Sequence, residues 1–160
     1  LRALGRPAVH VVAETFWRDA SLRLEHGHQD VESYPDWLDR EALRRETLEP
    51  FAAGADFLTS LRDPVTNRST REAAHAFVPG SVLVVSGAFL LGDVLPFEHT
   101  VHLHLPPDAR ARRTPPAEAW TLPAFEAYDA AVRPVERADV TVRLDRRSPA
   151  VRGSLDPGTR

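Results

Sequence analysis

Apolar runs separated by turn residues divide the chain into predicted strands and helices. In the most prominent of them, the apolar residues 82–85 follow Pro79-Gly80 and lead into Ser86-Gly87. A continuous apolar run between turn residues is typical of a strand that is buried on both faces of a parallel sheet. We therefore predict a buried parallel strand over 82–86.

Alternating and helical patterns, together with proline and glycine boundaries, predict three more strands and three helices. The strands lie near 8–13, 99–105 and 139–144, and the helices near 39–51, 106–113 and 122–133. Residues 19–35 are predicted to form a loop, and residues 52–80 a turn-rich segment with room for a hairpin. Strands that alternate with helices predict an α/β fold with a mostly parallel sheet. We assign residues 1–145 to one domain and residues 146–160 to an irregular tail.

Composition and charge limit the classes of function. The net charge is −3, which indicates no general surface for nucleic acid or membranes. Cysteine is absent, which excludes disulfides and thiolate chemistry. No apolar run approaches transmembrane length, and no signal peptide is visible. We therefore expect a cytoplasmic protein without a nucleic-acid or membrane partner, and a homo-oligomer stays open.

The first residues predict a helix upstream of the printed sequence. Removal of an initiator methionine does not normally leave a leucine such as Leu1. Residues 1–4, followed by Gly5 and Pro7, are typical of the last turn of a helix with its cap.

The carboxyl end of the strand 82–86 is the first candidate site, because ligands of open α/β sheets bind at such ends. Ser86 and Gly87 lie there, and a glycine lets a ligand or another backbone come close. A core strand that ends in a turn glycine is the alternative.

A carboxylate ends the strand 8–13. Glu14 lies beside Phe16, Trp17 and Arg18, and from that position it could accept a proton from a substrate hydroxyl. A solvated loop glutamate is the alternative.

Asp36 is the second candidate carboxylate. It lies between Pro35 and Trp37, and a carboxylate beside an aromatic ring suits the hydroxyls of a sugar. An aspartate just before a helix is equally suited to cap it.

Positive charge and histidine are each concentrated in short segments. Arg110, Arg112 and Arg113 share one predicted helix, and guanidinium groups suit phosphate oxygens, although such a run is also common on a solvated face. The pairs His26/His28 and His102/His104 lack a carboxylate or third ligand at metal-site spacing. No metal is therefore assigned to protein ligands.

The order of these segments is more specific than any one of them. In sequence they are Glu-Thr-Phe-Trp-Arg from Glu14, Tyr-Pro-Asp-Trp-Leu-Asp from Tyr34, Leu-Val-Val-Ser-Gly-Ala-Phe-Leu-Leu from Leu83, Val-His-Leu-His-Leu-Pro-Pro-Asp-Ala-Arg from Val101, and Tyr-X3-Val-Arg-Pro from Tyr128. This succession resembles the uridine kinase family, in the phosphoribulokinase and uridine kinase group of P-loop kinases, over residues 1–145. The resemblance implies a P-loop NTPase-like parallel sheet flanked by helices. It also implies transfer of the γ-phosphate of ATP or GTP, with Mg²⁺, to the hydroxyl of a nucleoside similar to uridine or cytidine.

The resemblance also implies roles for single residues. Glu14 stands where the family has the aspartate that serves as base and metal-side carboxylate, with Phe16 and Trp17 following it on the substrate side. Asp36 matches the aspartate that holds the ribose hydroxyls.

The remaining roles concern the base and the phosphates. Arg62 and Asn67 fall where the family frames the nucleoside base. The lid helix that clamps phosphates falls on Arg110, Arg112 and Arg113, and Ser86-Gly87 falls beside the phosphate.

The chain departs from the family pattern at several of these places. Ser86 replaces an acidic residue, Arg62 replaces a stacking tyrosine, and Thr114-Pro115-Pro116 shortens the lid. The 160 residues contain neither lysine nor a Gly-X4-Gly-Lys-Ser/Thr loop, which in P-loop kinases cradles the phosphates.

These departures lead to further expectations and leave alternatives open. We expect the P-loop strand and most of the first helix upstream of Leu1, a gap between the strands 82–86 and 99–105, and no activity from these residues alone. One alternative is a kinase for another small alcohol, as in the phosphoribulokinase and pantothenate kinase branches. The other is a degenerate homologue that binds a nucleotide or a partner without turnover.

Overall fold

The computed structural model describes residues 5–92 and 95–144, together with the backbone of residues 150–153. These residues form an α/β structure with parallel strands and flanking helices. They divide into two compact units. The N-terminal unit contains residues 5–90 and 95–96, and the C-terminal unit contains residues 91–92, 97–144 and 150–153.

Two parallel strands form the sheet of the N-terminal unit. Strand β1 is Ala8–Val12 and strand β2 is Val82–Ser86. Ala8 lies opposite Val82 and Val12 lies opposite Ser86. The predicted strands 8–13 and 82–86 are thus confirmed, and their parallel pairing brings both carboxyl ends to one edge of the sheet.

The connection between β1 and β2 is helical in short pieces. Its α-helices are α1 Ala20–Arg23, α2 Arg40–Leu43 and α3 Glu49–Ala52, its 3-10 turns are Ala13–Phe16 and Tyr34–Trp37, and a π-helical turn spans Arg44–Leu48. The predicted helix 39–51 therefore exists as a helical stretch over 40–52 with a π-helical interruption. The predicted loop 19–35 contains the additional helix α1. Within residues 52–80, isolated antiparallel bridges join Phe57 to His75 and Arg62 to Ser69.

Pro50 accounts for the interruption. Proline has no N–H, so in a regular helix Pro50 would leave the carbonyl of Glu46 without its usual donor. The amide of Leu58 donates to that carbonyl instead, at 2.9 Å. The hydroxyl of the buried Thr47 donates to the carbonyl of Leu58 at 2.7 Å, so the backbone of the following segment completes the helix.

The N-terminal unit has a core on one side of its sheet. Val11, Phe16, Leu43 and Phe57 are at most 2% exposed. On the other face, Val12 and Val84 are each 41% exposed, so the prediction that the strand 82–86 is buried on both faces is wrong. The described residues therefore cover one face of this sheet more than the other.

Three strands form the sheet of the C-terminal unit, in the order β3-β4-β5. The strands are β3 Val101–His104, β4 Val140–Arg143 and β5 Ala150–Gly153, and the helices are α4 Pro107–Arg113, α5 Leu122–Val132 and α6 Pro134–Arg137, with a 3-10 turn over Pro116–Thr121. Strands β3 and β4 are parallel, whereas β5 is antiparallel to β4. Strand β5 lies within the segment 146–160 that the sequence predicts to be irregular. The strands 82–86 and 101–104, on either side of the predicted gap, belong to different sheets, and the gap stays a prediction.

Two features mark where elements of the C-terminal unit begin or end. Helix α5 ends because Arg133 adopts a left-handed conformation, with φ 52°, and Pro134 follows. At the start of β3 and β4, the amide and hydroxyl of Thr100 both donate to the carboxylate of Asp139 at 2.7 Å, and the amide of Asp139 donates to the Thr100 hydroxyl at 3.1 Å. These bonds hold the two strands side by side where their pairing begins.

Candidate active site

A small pocket opens at the carboxyl ends of β1 and β2 in the N-terminal unit. It is lined by Ala13, Glu14, Trp17, Tyr34, Pro35, Leu38, Ala88 and Phe89. Its volume is about 20 Å³, enough for about one water molecule. The pocket therefore accepts a small chemical group as it stands, and a complete nucleoside would require it to open.

Glu14 supplies the only charge among the lining residues. The 3-10 turn Ala13–Phe16 places it there, closed by the bond from the Trp17 amide to the Glu14 carbonyl at 3.2 Å. The Glu14 carboxylate makes no hydrogen bond or ion pair with any residue that the structure describes. It is therefore available to a ligand, as a base or a charge partner must be.

Aromatic rings form one wall of the pocket. Tyr34 packs edge to face against Phe89, with ring centroids 5.3 Å apart, and against Trp37 at 5.0 Å. Behind this wall, the guanidinium of Arg23 lies 5.0 Å from the ring of Trp17 and 4.9 Å from that of Trp37. Such edge-to-face and cation–π contacts hold rings at fixed angles.

Phe89 reaches the pocket through an unusual backbone conformation. Its φ is 58°, a left-handed value that costs energy in a bulky residue. Arg40 donates to the carbonyl of Phe89 at 3.4 Å and to that of Pro35 at 2.9 Å. One arginine thus ties the segment after β2 to the turn Tyr34–Trp37.

Asp36 belongs to that turn but does not line the pocket. Its side chain is 74% exposed and pairs with Arg40 at 3.4 Å. The cap of helix α2 is Asp39, whose carboxylate accepts from the amide of Ala42 at 2.9 Å. The alternative interpretation of Asp36 as a helix cap is therefore wrong, and its role toward a sugar stays a proposal.

Arg62 and Asn67 lie together, but they bond to Asp19. Arg62 pairs with the Asp19 carboxylate at 2.9 Å and donates to the Asn67 carbonyl at 2.7 Å. The Asn67 amide group donates to Asp19 at 3.3 Å and accepts from the amide of Ala20 at 3.0 Å. Hydrogen bonds from Ser21, and then Arg62, hold the pKa of Asp19 below its usual value. This network links the 62–67 turn to the start of α1 and occupies the polar groups of both predicted base-framing residues.

Phe16 and Trp17, predicted on the substrate side, have different positions. Trp17 lines the pocket, whereas Phe16 has no exposed surface and belongs to the core.

Ser86 and Gly87 lie at the end of β2, as predicted, and do not line the pocket. The Ser86 hydroxyl is hydrogen-bonded to His10 Nε2 at 2.8 Å. A Cβ on Gly87 would lie 3.5 Å from the Glu14 carboxylate, so the backbone of Gly87 is a near neighbour of Glu14.

The predicted lid arginines belong to helix α4 of the C-terminal unit. Arg110 pairs with Asp129 at 2.7 Å, and its guanidinium lies 5.2 Å from the ring of Phe125. Arg113 donates to the carbonyl of Leu144 at 3.1 Å. Arg112 is exposed, and its side chain makes no hydrogen bond or ion pair with the described residues. Arg110 therefore has a packing role, while Arg112 and Arg113 remain accessible.

The part of the chain that the structure describes contains neither a candidate metal cluster nor a candidate membrane-spanning helix. In residues 5–92 and 95–144, no three His, Asp or Glu side chains are grouped so that they could hold a metal ion. Among the helices in that part of the chain, none has the length and apolar character needed to cross a membrane.

Several residues that line the pocket were not predicted from the sequence. Tyr34 and Pro35 precede the predicted Asp36, and Ala88 and Phe89 follow the predicted Gly87. Their closeness in sequence to predicted residues was the available signal. The left-handed backbone that turns Phe89 inward has no signature in a sequence without glycine at that position.

Comparison with known proteins gives a likeness in structure only. The likeness concerns the fold, in which helices flank parallel strands. A solved structure titled as that of a possible uridine kinase from Bacillus stearothermophilus superposes with a TM-score of 0.69 at 19% identity, covering 88% of this chain and 74% of the other. No protein-family model matches the sequence, and no curated protein matches it.

Proposed function

We propose that the protein is a kinase-type phosphotransferase that moves the γ-phosphate of ATP or GTP to a hydroxyl of a small substrate. The observation that supports this most is the Glu14 carboxylate, which has no partner among the described residues and lies in a pocket at the carboxyl ends of two parallel strands. Such ends are where α/β sheets bind their ligands. A nucleoside similar to uridine or cytidine is the first candidate substrate because of the order of the sequence motifs.

Glu14 would act on the hydroxyl that receives the phosphate. A carboxylate within hydrogen-bond reach of a hydroxyl orients it and accepts its proton. The apolar walls formed by Leu38 and Phe89 would keep water away from the attacking oxygen.

Mg²⁺ fits this site as an ion whose ligands are mainly waters and substrate phosphates. It usually keeps several waters and takes one or two carboxylates together with substrate phosphates, and Glu14 is one uncommitted carboxylate. When bound, the ion would neutralise charge on the phosphates. In the C-terminal unit, Arg112 and Arg113 are proposed to bind phosphate, as the resemblance implies.

Another small alcohol is the second candidate substrate. The pocket has a volume of about 20 Å³. Arg62 already pairs with Asp19 and donates to the Asn67 carbonyl, and the Asn67 side chain bonds to Asp19 and to the Ala20 amide. Both observations favour a substrate without a large base.

The test is a phosphorylation assay of the full-length gene product with ATP or GTP and Mg²⁺. The panel contains uridine, cytidine, pantothenate and simple alcohols, and the phosphorylated product is detected by mass. We expect at least one panel member to be phosphorylated and Glu14→Gln to abolish most of that activity. Glu25→Gln makes the same change at an exposed position outside the pocket and should leave activity intact. Nucleotide binding without any product would favour the degenerate homologue.

A further inference from the structure

The pocket combines one negative charge with a lining that is otherwise apolar or aromatic. Trp17, Tyr34 and Phe89 supply rings, and Glu14 supplies the carboxylate. None of the eight lining residues carries a positive charge. A ligand that fills the pocket therefore covers a carboxylate without meeting a cation from the lining.

A ligand that covers the Glu14 carboxylate removes water from it, which is unfavourable unless the ligand compensates the negative charge. A carboxylate that leaves water must be paired or hydrogen-bonded, otherwise its desolvation opposes binding. Two arginines that contact lining residues of the pocket, Arg23 and Arg40, have other partners. Arg40 bonds to Pro35, Asp36 and Phe89, and Arg23 stacks on two tryptophans and donates to the Arg18 carbonyl at 2.9 Å. Neither the lining residues nor these two arginines supply the compensating charge, which a cationic ligand would bring.

The rings point to the same kind of ligand. The faces of aromatic rings carry negative potential and attract cations, and pockets with several rings recognise organic ammonium groups. A neutral sugar or base would use the ring surface but would leave the charge of Glu14 unmatched.

We propose that the substrate is a small alcohol bearing an ammonium group, and that this group binds in the pocket. One oxygen of the Glu14 carboxylate accepts from the ammonium, and the other accepts from a hydroxyl two carbons away. The volume of about 20 Å³ suits a primary ammonium and not a bulky substituted one. Phosphorylation of the hydroxyl rests on the proposed function, whereas ammonium binding does not.

A pair of matched ligands tests the binding. In 2-aminoethanol an ammonium replaces the terminal methyl of 1-propanol, so the two differ in charge and little in size. Each is titrated into the full-length protein without nucleotide, and binding is followed by NMR shifts of the tryptophan and tyrosine rings. We expect 2-aminoethanol to bind about tenfold tighter or more, as a charge-assisted contact predicts. Equal binding of the two ligands to the wild-type protein overturns the proposal without any variant.

Variants locate the preference in the pocket. Glu14→Gln should remove the preference for 2-aminoethanol while leaving 1-propanol binding unchanged. Tyr34→Leu should weaken the preference severalfold, and Tyr34→Phe, which retains the ring, should preserve it. A preference that survives Glu14→Gln places the cation elsewhere and overturns the proposal.

The phosphorylation assay separates this inference from the proposed function. If nucleosides or neutral alcohols are phosphorylated and 2-aminoethanol neither binds nor reacts, the inference fails and the kinase function stands. If 2-aminoethanol binds with the expected preference but no panel member is phosphorylated, the kinase function fails and the ammonium site stands.

Discussion

Gly87 and Ala13 approach each other so closely that only one of them has room for a side chain. A Cβ built on Gly87 would lie 2.5 Å from the Cβ of Ala13, a distance that real Cβ atoms do not adopt. Gly87 thus allows the ends of β2 and β1 to come into contact. This contact holds the turn that carries Glu14 against the end of β2.

Gly87→Ala should destabilise the protein by about 1–3 kcal/mol, the usual cost of inserting a methyl group into a closely packed contact. It should also lower activity, because the turn bearing Glu14 must move. Urea unfolding measures the first effect and the phosphorylation assay the second. The double variant with Ala13→Gly frees the space and should recover most of the stability. Full stability of Gly87→Ala alone would show that the contact is not tight in solution.

Glu14→Gln should lower kcat by ~10²–10⁴-fold, the contribution typical of a general base, with a smaller effect on KM. Steady-state kinetics on the best substrate of the panel measures both constants. Glu25→Gln is the control. A kcat for Glu14→Gln within about threefold of the wild-type value would remove Glu14 from the chemistry.

Variants of Asp36 and Asp39 should distinguish an effect on nucleoside affinity from an effect on stability. Asp39→Ala removes the cap of α2 and should cost about 1 kcal/mol of unfolding free energy. Asp36→Asn should leave the thermal midpoint nearly unchanged, because its carboxylate is exposed and makes one long ion pair. If Asp36 holds a sugar, the variant should lose the preference for a nucleoside over its 2′,3′-dideoxy analogue. An unchanged preference would contradict the role implied by the resemblance.

His102 should make stability depend on pH. Burial lowers the pKa of His102, the neighbouring His104 and Arg110 lower it further, and Asp129 opposes them. The folded state therefore disfavours the protonated ring, while the unfolded chain takes up the proton near its ordinary value of 6.5. The unfolded state binds more protons, so stability is fully present above that value and falls as the pH falls below it toward the folded-state pKa.

Urea midpoints at pH 7 and pH 5 measure this effect. The wild-type protein should lose more stability between these pH values than His102→Gln. His99→Gln, at an exposed position, should behave as the wild type. Parallel losses in all three proteins would exclude His102 as the source.

The elements that the sequence predicts well are those whose signals are local. Strand β2 lies between Pro79-Gly80 and Gly87, and α5 ends before Pro134, so turn residues mark their bounds within one or two positions. Helix α1 was missed because four residues carry little periodicity. At its start, the amide of Ser21 donates to the Asp19 carboxylate, and the amide of Ala20 donates to the side chain of Asn67, which is distant in sequence.

The site was predicted only in part for a similar reason. Glu14 and Trp17 follow a strand and could be found from that alone. The partners of Arg62 and Asn67 depend on how the 62–67 turn folds back onto α1, and the position of Phe89 depends on its left-handed backbone. Arg110 appeared in sequence as one of several equivalent arginines, and only the contact with Asp129 distinguishes it.

Strand β3 turns its two histidines toward the packed side and its two aliphatic side chains outward. Val101 is 59% and Leu103 61% exposed, while the rings of His102 and His104 lie 5.8 Å apart and less exposed. A strand displaced by one residue exchanges its faces. Here that displacement would bury valine and leucine, so the hydrophobic effect on this strand favours the wrong alignment.

The three hydrogen bonds between Thr100 and Asp139 oppose this displaced alignment of β3. They lie immediately before the pairing of Val101 with Val140, and a displaced strand would break all three of them. We therefore expect this polar pair to favour the native alignment of β3 during folding, where apolar burial alone would favour the displaced alignment.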